Sequence, residues 1–293
     1  MTAAAPSSAH RISRVWRKVI LLLATTVLAT ASARASDNSW QLMATGETGV
    51  PGGWVQVREN AIQGTRLHFS DNLNVNRMQT FRLQAWKPLS DVSELHIGFS
   101  TSQLDGHAST AVPVYFNGAI LAPGRLATIT HFQDFLAFDA SYWHRLVDFG
   151  NGGRLWGSVG ATYVMLNFKL GGTIAADSVG SELKEDFYVQ ELPVPMLGLH
   201  LRYPLTDALK LTADIEVGRL PWVDSLRTEG GEVRLAQTDE EETLGLEYRF
   251  TAHWQAVAYA FHRYFGQNER SREDGNVIRL RSSGIGLGVG YRF

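Results

Sequence analysis

Gly284-Ile285-Gly286-Leu287-Gly288-Val289-Gly290-Tyr291-Arg292-Phe293 closes the chain, with apolar or aromatic residues at every odd position and glycine or arginine at every even one. In an extended strand successive side chains point to opposite faces, so this stretch has one apolar face and one built of glycines and a charge. The rhythm recurs upstream. Leu244, Leu246, Tyr248 and Phe250 alternate with Thr243, Gly245, Glu247 and Arg249. Leu209, Leu211, Ala213, Ile215 and Val217 alternate with Lys210, Thr212, Asp214, Glu216 and Gly218, and Leu197, Leu199, Leu201 and Tyr203 with Gly198, His200 and Arg202. Phe81, Leu83 and Ala85, then Leu95, Ile97 and Phe99, behave alike.

Composition narrows the classes. The chain has 293 residues, 44% hydrophobic and 19% charged, too apolar for a disordered protein. A formal net charge of -2 argues against nucleic-acid binding by counterion release. The absence of cysteine excludes a disulfide framework, a thiolate metal site and a lipid-modified N-terminal cysteine.

Residues 1–35 read as a cleaved export signal. Arg11, Arg14, Arg17 and Lys18 precede the mostly apolar run Val19 to Ala29, and Ala31-Ser32-Ala33 or Ala33-Arg34-Ala35 fits the cleavage site. The run falls well short of the ~20 residues a transmembrane helix needs. The leader holds five basic residues and no acidic one, which leaves residues 36–293 with a net charge of -7. That balance disfavours a polybasic, anionic-lipid-binding surface as the main membrane attachment.

A sheet with one apolar and one polar face, following an export signal and with no covering helix in the sequence, predicts an all-β fold. It is a closed antiparallel transmembrane barrel, apolar side toward lipid and polar side inward. Strands are expected near 53–60, 78–88, 92–103, 128–146, 154–169, 188–203, 208–219, 233–250, 253–265 and 277–293. This makes ten, within a range of 8–12. Short links (Leu89-Asp91, Val147-Gly153, Pro204-Asp207, Thr251-Ala252) alternate with long polar ones, as short periplasmic turns alternate with longer extracellular loops. Within one long loop, Val112–Tyr115, Asn117-Gly118 and Ala119–Leu121 predict a small hairpin projecting above or folding over the barrel mouth.

The terminal strand, ending on Phe293 with Tyr291 before it, resembles the signal by which Gram-negative outer-membrane proteins are recognised by their barrel-assembly machinery. That resemblance implies a bacterial outer-membrane location. The partners then expected are outer-membrane lipids, lipopolysaccharide and, during biogenesis, the assembly machinery. By strand number the chain is also similar to the omptin proteases, which use an Asp-Asp pair facing an Asp-His pair at the extracellular rim. This chain has no Asp-x-His, and His131 with Asp134 departs from that spacing. The resemblance stops at architecture.

Four strands end alike, in Trp143-His144-Arg145-Leu146, His200-Leu201-Arg202-Tyr203, Glu247-Tyr248-Arg249-Phe250 and Gly290-Tyr291-Arg292-Phe293. The expectation is that the aromatic residues form an interfacial girdle while the arginines turn inward. A lumen charge network of Arg82, Glu94, Arg145, Arg202, Lys210, Asp214, Glu216, Glu247, Arg249 and Arg292 follows. It is read as a charge-paired plug rather than an anion-selective ring, since about eight strands leave an interior filled by side chains and open channels belong to roughly 16–18. The glycines at 284, 286, 288 and 290 leave one wall bare, so bulky residues or a ligand must fill the space opposite.

Catalytic candidates are sparse. His96 and Ser100 share an inward face but lie roughly 13 Å apart along the strand. His200 is a possible base, Asp139 with Ser141 form one inward pair, and His262 with Tyr264 form another. The acidic run Asp239-Glu240-Glu241-Glu242 alternates faces and reads as a solvated loop base rather than a metal site. The Gly-x-Gly series lies within a strand and is no phosphate loop. No metal or cofactor is implied. The sequence favours a non-enzymatic outer-membrane protein with a binding or structural role at the cell surface. Its alternatives are a narrow pore for small solutes and a hydrolase acting on outer-membrane lipid.

Overall fold

The computed structural model describes residues 39–59, 62–131, 133–175, 187–189, 192–225, 233–272 and 275–293; the segment 1–35, expected to be an export leader, lies outside them. Ten long strands run β1 Gln41–Gln56, β2 Met78–Ser90, β3 Ser93–Thr110, β4 Phe135–Asp148, β5 Arg154–Phe168, β6 Val194–Pro204, β7 Leu209–Asp224, β8 Arg234–Arg249, β9 Trp254–Arg270 and β10 Val277–Arg292. Each pairs antiparallel with its sequence neighbours, and β1 pairs with both β2 and β10, from Gln41↔Arg292 to Gln56↔Val277. The ten long strands therefore close into a barrel.

The expected strands map closely onto these ten, with three corrections. The first begins at Gln41 rather than 53. Its outward residues Ala44, Gly46 and Thr48 are small, so the inward series Met43, Thr45 and Glu47 shows no hydropathy contrast. The segment expected at 128–146 is two strands. Gly124–Ile129 pairs with the upper part of β3, and β4 starts after a turn in which the His131 amide donates to Asp134 Oδ2 at 2.6 Å. The strand expected from 188 is interrupted: Phe187–Val189 and Val194–Pro204 both pair with β5, the first at Leu166–Phe168 and the second from Thr162 to Arg154.

Strand β10 shows how the barrel is organised along its axis. Near the short-turn end its outward residues are the exposed Ile285, Leu287 and Val289, and its inward ones are glycines. Near the long-loop end the order is inverted: Ile278 and Leu280 are buried inside, and Arg279 and Arg281 turn outward. Strand β8 does the same, with Leu244 and Leu246 exposed outside below and Leu235 buried inside above. The changeover falls on one register row, Glu242↔His262↔Ser283, all three facing out.

Above that row an apolar core fills the barrel. Strand residues Val55, Leu104, Leu166, Phe168, Ile278 and Leu280 pack there with residues of the long loops. The loops enter as a cap. Val114–Phe116 and Ala119–Leu121 form the expected hairpin, with Asn117 (φ 48°) and Gly118 (φ 73°) both left-handed, as a two-residue type I′ turn requires. It folds over the mouth: Val114, Phe116 and Leu121 are buried, and Tyr115 exchanges two hydrogen bonds with Thr65, at 2.7 and 2.9 Å.

Candidate functional site

Below the cap, four strands contribute one paired ionic layer. Glu47 on β1 receives both terminal nitrogens of Arg263 on β9, one of them at 2.7 Å, and the Tyr259 hydroxyl at 2.5 Å. Arg263 also contacts Glu241 on β8 at 3.0 Å, and Arg82 on β2 donates to Glu241 at 2.5 Å. The Arg82–Glu241 bond ties β2 to β8 straight across the lumen, past β1, β10 and β9. Two guanidiniums and two carboxylates neutralise one another, which is the condition for keeping charge out of water.

This layer corrects the expectation for the acidic run. Asp239 and Glu241 face the lumen and only Glu240 and Glu242 are exposed; strand β8 simply extends beyond the level at which alternation was legible. Tyr259 supplies the bulk that the glycine wall demands, its ring lying where a side chain at Gly286 would otherwise stand, 2.4 Å from an added Cβ.

Toward the short-turn end a cavity of about 420 Å³ lies beneath the ionic layer and reaches Gly152, Arg154 and Pro204 at the rim. A smaller cavity of about 140 Å³ lies on the cap side, and Arg82, Asp139, Ser141, Glu216 and Glu241 separate the two. The lower cavity's wall carries a stack of rings. Trp143 lies between His96 at 3.8 Å and His200 at 3.5 Å, both nearly parallel to it, with Trp86 beyond His96. Trp143 is therefore a lumen residue and not part of a lipid-facing girdle. It has the same strand parity as Asp139 and Ser141, and its indole N–H donates to Ser141 Oγ at 2.9 Å.

Beside that stack, three adjacent strands bring a serine, a histidine and an aspartate into register. His200 is directly opposite Asp214 on β7, while Gly198, two residues before it, is opposite Ser158 on β5. His200 Nδ1 lies 2.9 Å from Asp214 Oδ1 and Nε2 lies 2.9 Å from Ser158 Oγ. A carboxylate only accepts, so the Nδ1 proton goes to Asp214 and the bare Nε2 accepts the serine hydroxyl. Asp214 is held from its other sides by Arg202 at 2.6 Å and Thr243 at 2.9 Å. His200 is 1% exposed and Ser158 7%.

The remaining candidates divide. Glu94 pairs with His96 at 2.8 Å and Lys210 with Glu247 at 3.0 Å, both on the wall of the lower cavity. Glu216 reaches within 3.6 Å of His200 Nε2. Ser100 lines the upper cavity, away from His96. Arg292 lines the lower cavity near its rim. Two arginines leave the network: Arg145 pairs with Asp148 at 3.4 Å beside a short turn, and Arg249 is exposed and donates to the Asp207 carbonyl. A bulge after Arg145 and the strand end at Arg249 turn these side chains toward the turns instead of the axis. His262 and Tyr264 face outward, His262 bonding Ser283 at 2.7 Å, so that pair is not in the lumen. Their parity is opposite to that of Tyr259 and Arg263.

Sequence reasoning missed Ser158, Glu47, Arg263 and Tyr259. Parity alone places Ser158 inward, because Leu155 and Val159 flank it on the other face. The diagonal contact with His200 needs the register.

The fold is similar to solved outer-membrane barrels. The outer-membrane protease OmpT from Escherichia coli aligns at 12% identity and TM-score 0.49, over 86% of this chain and 97% of that one. The translocator domain of the autotransporter NalP from Neisseria meningitidis aligns at 17% and 0.42, over 99% and 100%. OprG from Pseudomonas aeruginosa aligns at 10% and 0.36, over 87% and 96%. No protein-family model and no curated protein matches the sequence.

Proposed function

We propose that this chain is an integral bacterial outer-membrane protein whose barrel is closed to through-flow and which acts through its extracellular cap, in a binding or structural role at the cell surface. The observation that carries this reading is the double obstruction of the lumen. The Glu47–Arg263–Glu241–Arg82 layer bridges the barrel, and an apolar core seals the mouth above it. A narrow pore needs a continuous wet path, and both obstructions stand in it. A hydrolase acting on bilayer lipid needs its nucleophile at the lipid-facing edge, whereas Ser158 and His200 point inward.

The cap offers a contact surface. Ile62, Val112 and Tyr115 are exposed there on loops that are stapled to one another. The apolar belt of Leu197, Leu199, Ile215, Leu244 and Leu287 would meet lipid acyl chains, with lipopolysaccharide in the outer leaflet. The export leader at 1–35 and the terminal Tyr291 and Phe293 fit passage to the barrel-assembly machinery.

Reconstitution in a planar bilayer tests the reading. The wild-type chain should insert, shown by a heat-dependent gel shift, and give no discrete conductance steps. Reproducible steps from the inserted wild type would sink it in favour of the pore.

A further inference from the structure

We propose that Ser158, His200 and Asp214 form a nucleophilic acyl-transfer site at the lower cavity, with His200 and Asp214 on the cavity wall and the 7% exposed Ser158 bonded to His200 beyond it, and that it hydrolyses small non-anionic carboxylic esters reaching it from the short-turn end. This goes beyond the surface role above and concerns the opposite end of the barrel.

The geometry has the three parts such chemistry needs: a hydroxyl bonded to an imidazole nitrogen, the other nitrogen bonded to a carboxylate, and that carboxylate fixed by further donors. Each group comes from a different strand of a rigid sheet, which holds such constellations better than loops do. A second observation lies between serine and histidine. At Gly198, an added Cβ would sit 2.4 Å from Ser158 Oγ and 2.7 Å from His200 Nε2. Only glycine lets that contact form. Trp143, directly opposite Ser158 in register, stacks on the imidazole and holds its plane.

The substrate class follows from the cavity. Its volume of about 420 Å³ suits a small ligand. On its wall Arg202 pairs with Asp214 and Lys210 with Glu247, and Asp139 and Glu216 add further acidic groups. That acidic lining disfavours an anionic ester, and Trp86, Trp143 and Trp156 supply flat apolar surface. In the reaction, Ser158 Oγ bonds to the acyl carbon while its proton passes to His200 Nε2. The ester C–O bond breaks and the leaving alcohol takes that proton. Water then adds to the acyl carbon through the same base, freeing the acid and restoring the serine hydroxyl.

The test uses the complete chain, folded in detergent, with a fluorescent fluorophosphonate and with p-nitrophenyl butyrate. Labelling should map by mass spectrometry to the peptide holding Ser158. Ser158→Ala should abolish it, and Asp214→Asn should slow ester turnover at least a hundredfold while the heat-dependent gel shift persists. Gly198→Ala should lose labelling with the hydroxyl still present, which separates loss of geometry from loss of the nucleophile. An unlabelled folded wild type, label on another residue, or label surviving in Ser158→Ala would overturn the proposal. Since conductance is not measured, this result is independent of the pore test.

Discussion

The two halves of the barrel solve the same problem with opposite residues. Toward the short turns the outside is apolar (Leu197, Leu199, Ile285 and Leu287 are exposed), and the inside holds Ser158, His200, Asp214 and Thr243. Toward the long loops the inside is Leu104, Phe168, Leu235 and Ile278, and charged Arg281 and Arg234 are outside. Side-chain parity never changes along β8, β9 or β10, because pairing runs without a register shift. What changes is the surroundings. Against acyl chains, apolar surface gains nothing by turning inward, and the lumen can be polar if every charge is paired. Above the membrane, water surrounds the wall and the ordinary hydrophobic effect drives a soluble-type core inside it. The row Glu242–His262–Ser283 marks the boundary on that side of the barrel.

If the halves are held by different forces, they should fail differently. Removing the Arg263 guanidinium leaves Glu47 and part of Glu241 buried without their partner, and breaking a buried pair on one side costs about 3–5 kcal/mol. Arg263→Ala should therefore lower the urea midpoint of the whole barrel in detergent. Arg263→Met with Glu47→Gln should regain more than half of the loss, because no uncompensated charge remains. Phe168 is the matching probe above. It is fully buried, with Phe69 edge-on at 5.8 Å and Phe116 at 6.2 Å, and Phe→Ala in a core costs about 3–5 kcal/mol. Here the loss should be local: limited proteolysis should cut the 57–77 and 111–134 segments while the heat-dependent gel shift survives. A uniform collapse of the Phe168→Ala barrel would mean that the two halves fold as one unit.

The same contrast explains what the sequence disclosed. Alternation with apolar residues outward was legible below the boundary, so β2, β5, β6 and the lower parts of β7 to β10 could be read directly. The expected ends at 103, 219 and 265 fall short of the observed Thr110, Asp224 and Arg270, because Asp105–Thr110 and Gly266–Arg270 have almost no apolar residues to alternate and Leu220 and Val223 stand on the opposite face from the apolar series below. The acidic run 239–242 lies at the boundary and so looked like loop. For the site, His200 and Asp214 were legible as inward groups and Ser158 was not singled out. A lone serine on a strand carries no signal until pairing places it beside a base two strand positions along. Glu47 was hidden because its strand has too little hydropathy contrast to be recognised.

The sharpest comparison lies within β10, whose two ends differ only in what surrounds them. Leu287 is 64% exposed on the lipid-facing side. An arginine there has no water within reach except by snorkelling, and such a substitution near the bilayer midplane costs about 2–4 kcal/mol. Leu287→Arg should shift the urea midpoint accordingly, less if Leu287 lies nearer an interface. Arg281 points outward on the same strand, three side-chain repeats toward the loops, with its stem over Gly52. Above the boundary its guanidinium is hydrated, and replacing an exposed side chain that bridges nothing among the described residues changes stability by about 0.5 kcal/mol or less. Arg281→Leu should therefore be nearly silent in urea. If it instead stabilises the barrel as strongly as Leu287→Arg weakens it, acyl chains reach row 281, and the boundary lies nearer the cap than Ser283.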